Sequence, residues 1–449
     1  MNSAEKTLTP SNVGRLQRQW QVTLAGTVDS SPVELPGVHT SIGTLDLLFV
    51  TTTSGSILAI DASTGQQVWR QDTHGPGITN SSPVIDPSYR FVYSYGLDGK
   101  VHKFAAGSGS EVTNGGWPAT ITLMPSVEKG SSALNITNKY LYATISGYIG
   151  DGGHYEGHIV AVNLSNGVIT LFNALCSNIR HLLNDVPTDA NYCPDIQAGI
   201  WARAGAVVDP VTGNVFVATG NGPYNANSGG FDYGDSVLEL SADLTHLVDT
   251  YTPGNYSDLQ SMDADLGSAA PLLLPKQQGG LTPYLALQAG KDQQLRLLNR
   301  QNLSGRGGPG HVGGELQTIR LPQGCAVLTQ PVAWHDTSNT TWVFVANDCG
   351  LSAFKVVTNA SGHSMLQPAY QNNNGGSSPF IANGILFVQG SRVLRAMEPT
   401  TGTVLWSSDQ PSAGGSIGEL HWQSPIVVNG HIYVADMSGS LSAYELAHS

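Results

Sequence analysis

The chain reads as all-β, an eight-bladed β-propeller with four antiparallel strands per blade, and three observations lead there. A small-residue pair, most often Ser-Pro, opens an apolar run eight times: Ser31-Pro32, Ser82-Pro83, Ser132-Ala133, Gly205-Ala206, Ala270-Pro271, Gln330-Pro331, Ser378-Pro379 and Ser424-Pro425. The intervals between copies run from 46 to 73 residues. Each copy holds short runs of alternating apolar and β-branched residues, cut by Gly, Asp and Ser turns, four strands to a copy. The last copy stops one run short, while an orphan run precedes the first copy. Four-stranded units that repeat in this way cannot bury their faces alone, and they stack around an axis as blades.

The elements follow in order. Residues about 14–24, with Leu16, Trp20 and Val22, form a strand with no partner nearby. As the missing outer strand of the eighth copy it closes the ring and removes an exposed sheet edge. Copy one continues through runs at 47–51, 56–61 and 66–69, with Thr64-Gly65 as its last turn. Copy seven repeats the pattern at 385–388, 393–396 and 403–406, with Thr401-Gly402. Copy eight ends at 441–446, and no long segment shows helical periodicity. The whole of 1–449 is one domain, with insertions at about 147–158, 173–203, 219–236, 252–268 and 301–325. Links between strands two and three share a face with links from an outer strand to the next inner one. That face is therefore decorated over copies three to six, where binding and catalysis concentrate.

Composition excludes several classes. With 20 Lys+Arg against 33 Asp+Glu, the net charge of −13 leaves nothing to neutralise a run of phosphates, so nucleic acid is not a partner. No run of about 18 apolar residues exists, so no helical membrane span is expected. The four cysteines fall into two near pairs, Cys176/Cys193 and Cys325/Cys349. Without Cys-x-x-Cys they read as two structural disulfides of a secreted or periplasmic protein whose signal peptide is absent from this sequence. Without Cys-x-x-Cys-His there is no c-type haem. No His-Glu-x-x-His or Walker sequence appears, and the chain reads as a monomer.

Several residues stand out on chemical grounds. Asp263 and Asp265 lie two apart and share a face if extended, which suits calcium binding or acid/base work, or else simple turn capping. Trp201, Arg203, His421 and Trp422 precede inner strands, so they can point into the central channel and suit a planar or sugar ligand, or else pack between blades. His154, in a Gly-rich loop, is a possible ligand or base, or a solvated side chain.

The turns Asp61-Ala62-Ser63-Thr64-Gly65 before Trp69, and Thr400-Thr401-Gly402 before Trp406, resemble the docking motif of the quinoprotein dehydrogenases that use pyrroloquinoline quinone (PQQ). In that family the Trp stacks on the neighbouring blade near the motif Gly. Thr219-Gly220-Asn221-Gly222-Pro223-Tyr224-Asn225 is similar to the family's calcium-holding loop, which implies Asn221 and Asn225 near a metal. The resemblance implies a catalytic base at Asp263 or Asp265 and a quinone contact at Lys291. It implies PQQ and Ca²⁺ as cofactors, an alcohol or sugar substrate and an external electron acceptor. The sequence also departs from the family. No adjacent cysteines cap the quinone; the calcium glutamate falls near Gly152, beside Asp151; the stacking Trp falls near Arg203, two residues after Trp201. A non-catalytic ligand- or protein-binding scaffold, and a quinone-free carbohydrate lyase or hydrolase, are the alternatives that the same residues leave open.

Overall fold

The computed structural model describes residues 1–447. Eight antiparallel sheets follow one another in chain order around a central axis, each of four strands apart from one whose innermost strand is split into Glu128–Gly130 and Asn135–Ile136. Blade one comprises Val33–Thr40, Gly43–Thr51, Ile57–Asp61 and Gln67–Gln71. Blade eight takes Ile426–Val428, His431–Ala435 and Ser440–Leu446 from the C-terminus and Leu16–Thr23 as its outermost strand. Leu16 lies opposite Leu446 and Thr23 opposite Ser440, with a bulge between Arg18 and Trp20, so the ring closes as the orphan run requires.

The reason for a ring lies in where the apolar side chains go. Each blade buries both faces, one against each neighbour, so every pair of adjacent blades shares its own core. Leu47, Phe49, Ile57 and Trp69 of blade one meet Val92 and Phe104 of blade two. Leu48, Val50, Leu58 and Ile60, the alternate residues of the same strands, meet Tyr433, Leu441 and Ala443 of blade eight. A lone blade would leave both sets in water.

The motif tryptophans lock these contacts. Trp69 Nε1 donates to Ala106 O at 2.8 Å, and a Cβ on Gly109 would stand 2.7 Å from its ring. Gly109 also has a φ of +71°, so glycine is required there twice over. Trp20 repeats the contact across the closure, donating to Ala62 O at 3.1 Å and packing on Gly65. Tyr370 takes that place on Gly402, with its Oη donating to Pro399 O at 2.7 Å.

Two features differ from the sequence expectation. The link 252–268 contains a short α-helix, Tyr256–Ser261. Residues 301–316 follow the third strand of blade five and do not belong to the decorated face; they climb the outer edge of blade four, where Val312 pairs with Thr252. That covers an otherwise open edge. Both disulfides form, Cys176–Cys193 with a Cα separation of 5.9 Å and Cys325–Cys349 with 6.0 Å. No helix among the described residues is long and apolar enough to cross a membrane.

Candidate functional site

The decorated loops meet at one end of the axis and enclose a cavity of about 540 Å³. Asp151, Trp201, Arg203, Asn221, Asp263, Asp265, Lys291, His421 and Trp422 all line it. His154 and Asn225 do not, and the expectation that they share the site is corrected. His154 Nε2 faces Cys193 O at 2.8 Å and so belongs to the disulfide loop. Asn225 is held within its own Gly-rich loop by Asp232, whose N–H reaches Asn225 Oδ1 at 3.0 Å.

One wall of the cavity is acidic. The second strand of blade four, Val215–Ala218, ends in Thr219-Gly220-Asn221. Gly220 is needed for proximity, because a Cβ there would lie 2.2 Å from Asp265 Oδ1. The space admits Asp265 Oδ1, which accepts from Asn221 N–H at 2.7 Å. Asn221 Nδ2 donates to Leu259 O at 2.8 Å and faces Asp235 Oδ2 at 3.3 Å. Its amide is thereby fixed, and Oδ1 is left buried with no partner. Lys291 Nζ pairs with Asp265 Oδ2 and lies 3.0 Å from Asp263 Oδ1. The two carboxylates do not share an extended face: Asp263 has a φ of +50°, and its side chain is 70% exposed against 9% for Asp265. Burial pushes the Asp265 carboxyl up, opposed by Lys291 and the Asn221 N–H. Burial would lower the Lys291 ammonium, but Asp265 and Asp263 outweigh it and hold it above its usual value. Asp235, behind Asn221, is pushed up to about 8, chiefly by burial and against the Leu266 N–H.

The other wall carries a buried excess of positive charge. Arg203 donates to Asp29 O at 2.6 Å and Ser131 O at 3.1 Å, and its guanidinium lies 4.5 Å over the Trp422 ring. Burial brings it down to about 10. Lys129 Nζ donates to Asn80 Oδ1 at 2.6 Å and falls to about 8, through burial first and then the Arg203 charge. Asp29 is the carboxylate they share. It also receives Asn80 Nδ2, faces His421 Nδ1 at 2.6 Å and accepts from Trp422 N–H at 3.1 Å. Trp201 stands between the walls, with its ring 5.5 Å from Trp422 and 5.4 Å from Lys291 Nζ.

Asp29, Asn80, Lys129 and Asp235 escaped the sequence reading, although a signal for the first two existed. The residue three before the second member of each repeat pair is Asp29, Asn80, Gly130, Arg203, Ser268, Leu328, Gly376 or Trp422. Five of these line the cavity and Asp29 bonds three of them, Asn80, Arg203 and Trp422, so one repeat offset marks the wall of the channel.

This arrangement fits a planar ligand with carboxylates at one end and a hard cation at the other. The unpartnered Asn221 Oδ1 and the Asp265 carboxylate, which the Asn221 backbone N–H binds, are oxygens of the kind that such an ion takes, and Arg203 with Lys129 suits carboxylates. Asp151 is less available, since Tyr155 Oη donates to it at 2.6 Å.

Residues 3–92 match the family described as "Glucose/ethanol/alcohol dehydrogenase, beta-propeller domain", and residues 332–448 match "Outer membrane protein assembly factor BamB". Among solved structures, a europium-containing methanol dehydrogenase aligns over 98% of this chain and 95% of its own, with 13% identity and a TM-score of 0.68. A quinohemoprotein alcohol dehydrogenase from Comamonas testosteroni aligns over 99% and 78%, with 14% identity and a TM-score of 0.67. BamB from Moraxella catarrhalis aligns over 96% and 99%, with 11% identity and a TM-score of 0.58. No curated protein matches the sequence. At such identities the structural likeness is one of fold. The blade count, the strand that closes the ring, the two repeat matches and these neighbours together make the chain an eight-bladed β-propeller of PQQ-repeat type.

Proposed function

We propose that the protein is a quinoprotein-type oxidoreductase whose axial cavity takes a carboxylated quinone of the PQQ class with a hard cation and oxidises an alcohol or sugar. The observation that carries this reading is the separation of charge across Trp201: buried Arg203 and Lys129 on one wall, Asp263, Asp265 and the unpartnered Asn221 oxygen on the other. The quinone, when bound, supplies a two-electron acceptor for hydride from the alcohol carbon. Asp263 receives the hydroxyl proton, since its Oδ2 is free and its exposure gives that proton a path to water. Lys291 holds Asp263 toward the cavity. Asn221 and Asp265 hold the cation, calcium or a lanthanide ion such as the europium named for the methanol dehydrogenase. Such a group, once reduced, would need an external electron acceptor to return it to the quinone. Two disulfides suit a secreted or periplasmic setting, and the protein acts as a monomer.

The test is dye reduction by the full chain loaded with PQQ and Ca²⁺ or a lanthanide, against a panel of alcohols and sugars. Cation-dependent turnover supports the proposal; no turnover with any of them removes it. A second reading, ligand binding without catalysis, draws on one observation: both oxygens of Asp265 are already engaged, by Asn221 N–H and Lys291. A sugar that raises the melting temperature without PQQ would favour it.

A further inference from the structure

The opposite face of the propeller holds a second hollow, a half-open groove of about 370 Å³ between blades four and five. Its walls are the turn at 209–214, Tyr284 ahead of the second strand of blade five, and Arg300 after the third. Links between strands alternate between the two faces of a blade, so all three lie away from the axial cavity.

Three carboxylates line it, Asp209, Glu239 and Asp249, each more than nine-tenths buried, with Arg300 as buried as they are. Asp249 already accepts from Leu303 N–H and Thr250 N–H, both at 2.8 Å. Asp209 accepts from Val211 N–H at 2.8 Å and lies 3.4 Å from Arg300 Nε. Two groups keep open capacity. Neither terminal nitrogen of Arg300 makes a hydrogen bond among the described residues; the guanidinium pairs with Asp209, lies 4.9 Å from the Tyr284 ring and is near enough to Glu239 for its charge to be felt there. Glu239 gives Oε1 to Asn214 Nδ2 at 2.6 Å and leaves Oε2 open. The terminal nitrogens of Arg300 and Oε2 of Glu239 face the solvent of the groove, so an acceptor and a cation can reach them there. Three carboxylates against one guanidinium call for positive charge. A bare metal ion does not suit the site, because no three carboxylate, His or Cys atoms here come within 4.8 Å of one another.

We propose that this groove binds a hydroxylated primary amine, as found in amino sugars and amino alcohols. The ammonium sits on Glu239 Oε2, and a neighbouring hydroxyl accepts from the terminal N–H groups of Arg300. An amino acid is disfavoured, because its carboxylate would face Asp209 and Asp249.

Calorimetric titration of the full chain with glucosamine and with ethanolamine tests this, with glucose and ethylene glycol as neutral counterparts. Saturable binding of the amines, at least about tenfold tighter than the neutral compounds, is the expected result. Glu239→Gln should weaken it by about tenfold or more. Because that change also touches buried packing, a second variant, Val248→Trp, at a rim position 40% exposed, should abolish binding by filling the mouth while leaving the melting temperature unchanged. The proposal is overturned if neither amine binds, if glucose binds as tightly as glucosamine, if amine binding survives both substitutions, or if Ca²⁺ occupies the groove in their place.

Discussion

At the scale of the residue, the site depends on a few positions where one atom decides the geometry. Gly220 is one. Its alanine variant would drive a methyl into Asp265 Oδ1, and an overpacked site of this kind costs about 1–3 kcal/mol. Gly220→Ala should lower denaturant stability by that amount and weaken cation binding together with it. Asp263 is another. Asp263→Asn should cut turnover of the loaded protein by about 10²–10⁴ while leaving quinone binding intact, which steady-state kinetics and a binding titration read separately. Glu156 has no part in the proposed chemistry, but it contributes to the pH dependence of stability. It is fully buried; Oε1 stands 2.9 Å from His154 Nε2 without the alignment of a hydrogen bond, and Oε2 has no partner. Burial, with Glu128 and Asp185 nearby, pushes it from 4.5 up to about 9. A carboxyl raised in the fold contributes full stability below its unfolded value, and that stability drains as pH rises from about 4.5 to about 9. Glu156→Gln should therefore match the parent at pH 4 and melt roughly 2–4 °C higher at pH 8, as a thermal melt at each pH would show. Sequence could single out Trp201, Asn221, Asp265 and Lys291, since local motifs or spacing carry them. It could not pair Lys129 with Arg203, because 74 positions of chain separate two groups that only ring closure brings together.

At the scale of the element, blades are held by alternation and by aromatic docking. The strands were legible because alternate residues face opposite neighbours, as Leu47 and Leu48 do. The helix Tyr256–Ser261 was not, since six residues make fewer than two turns and carry no measurable period. The placement of 301–316 was hidden too: whether an insertion covers a face or an edge depends on which strand precedes it. Trp69 is the clearest test of docking. Trp69→Ala removes a buried indole and its bond to Ala106, and should cost about 3–5 kcal/mol in denaturant titration. Replacing Cys176 and Cys193 together by serine should cost about 3 kcal/mol, because that bridge closes a loop of 17 residues against the cavity-bearing blades.

At the scale of the molecule, the ring is what gathers the site. Residues from the first blade to the last, Asp29 to Trp422, meet at one end of the axis because Leu16–Thr23 returns to pair with Ser440–Leu446. Deleting the first 24 residues should leave that last strand with an open edge, and gel filtration should show aggregates or paired copies that the full chain does not form. Repetition made the ring legible from sequence alone, whereas its ligand is set by side chains that vary from copy to copy. The most direct measurement of the central claim is a tryptophan-fluorescence titration of the full chain with PQQ, with and without Ca²⁺ or a lanthanide. With Trp201 and Trp422 in the cavity wall, the account predicts saturable quenching in the micromolar range, tightened by the cation and lost in an Arg203→Ala, Lys129→Ala double variant that still folds. Fluorescence that stays flat as PQQ is added, or quenching indifferent to both the cation and those two side chains, would contradict it.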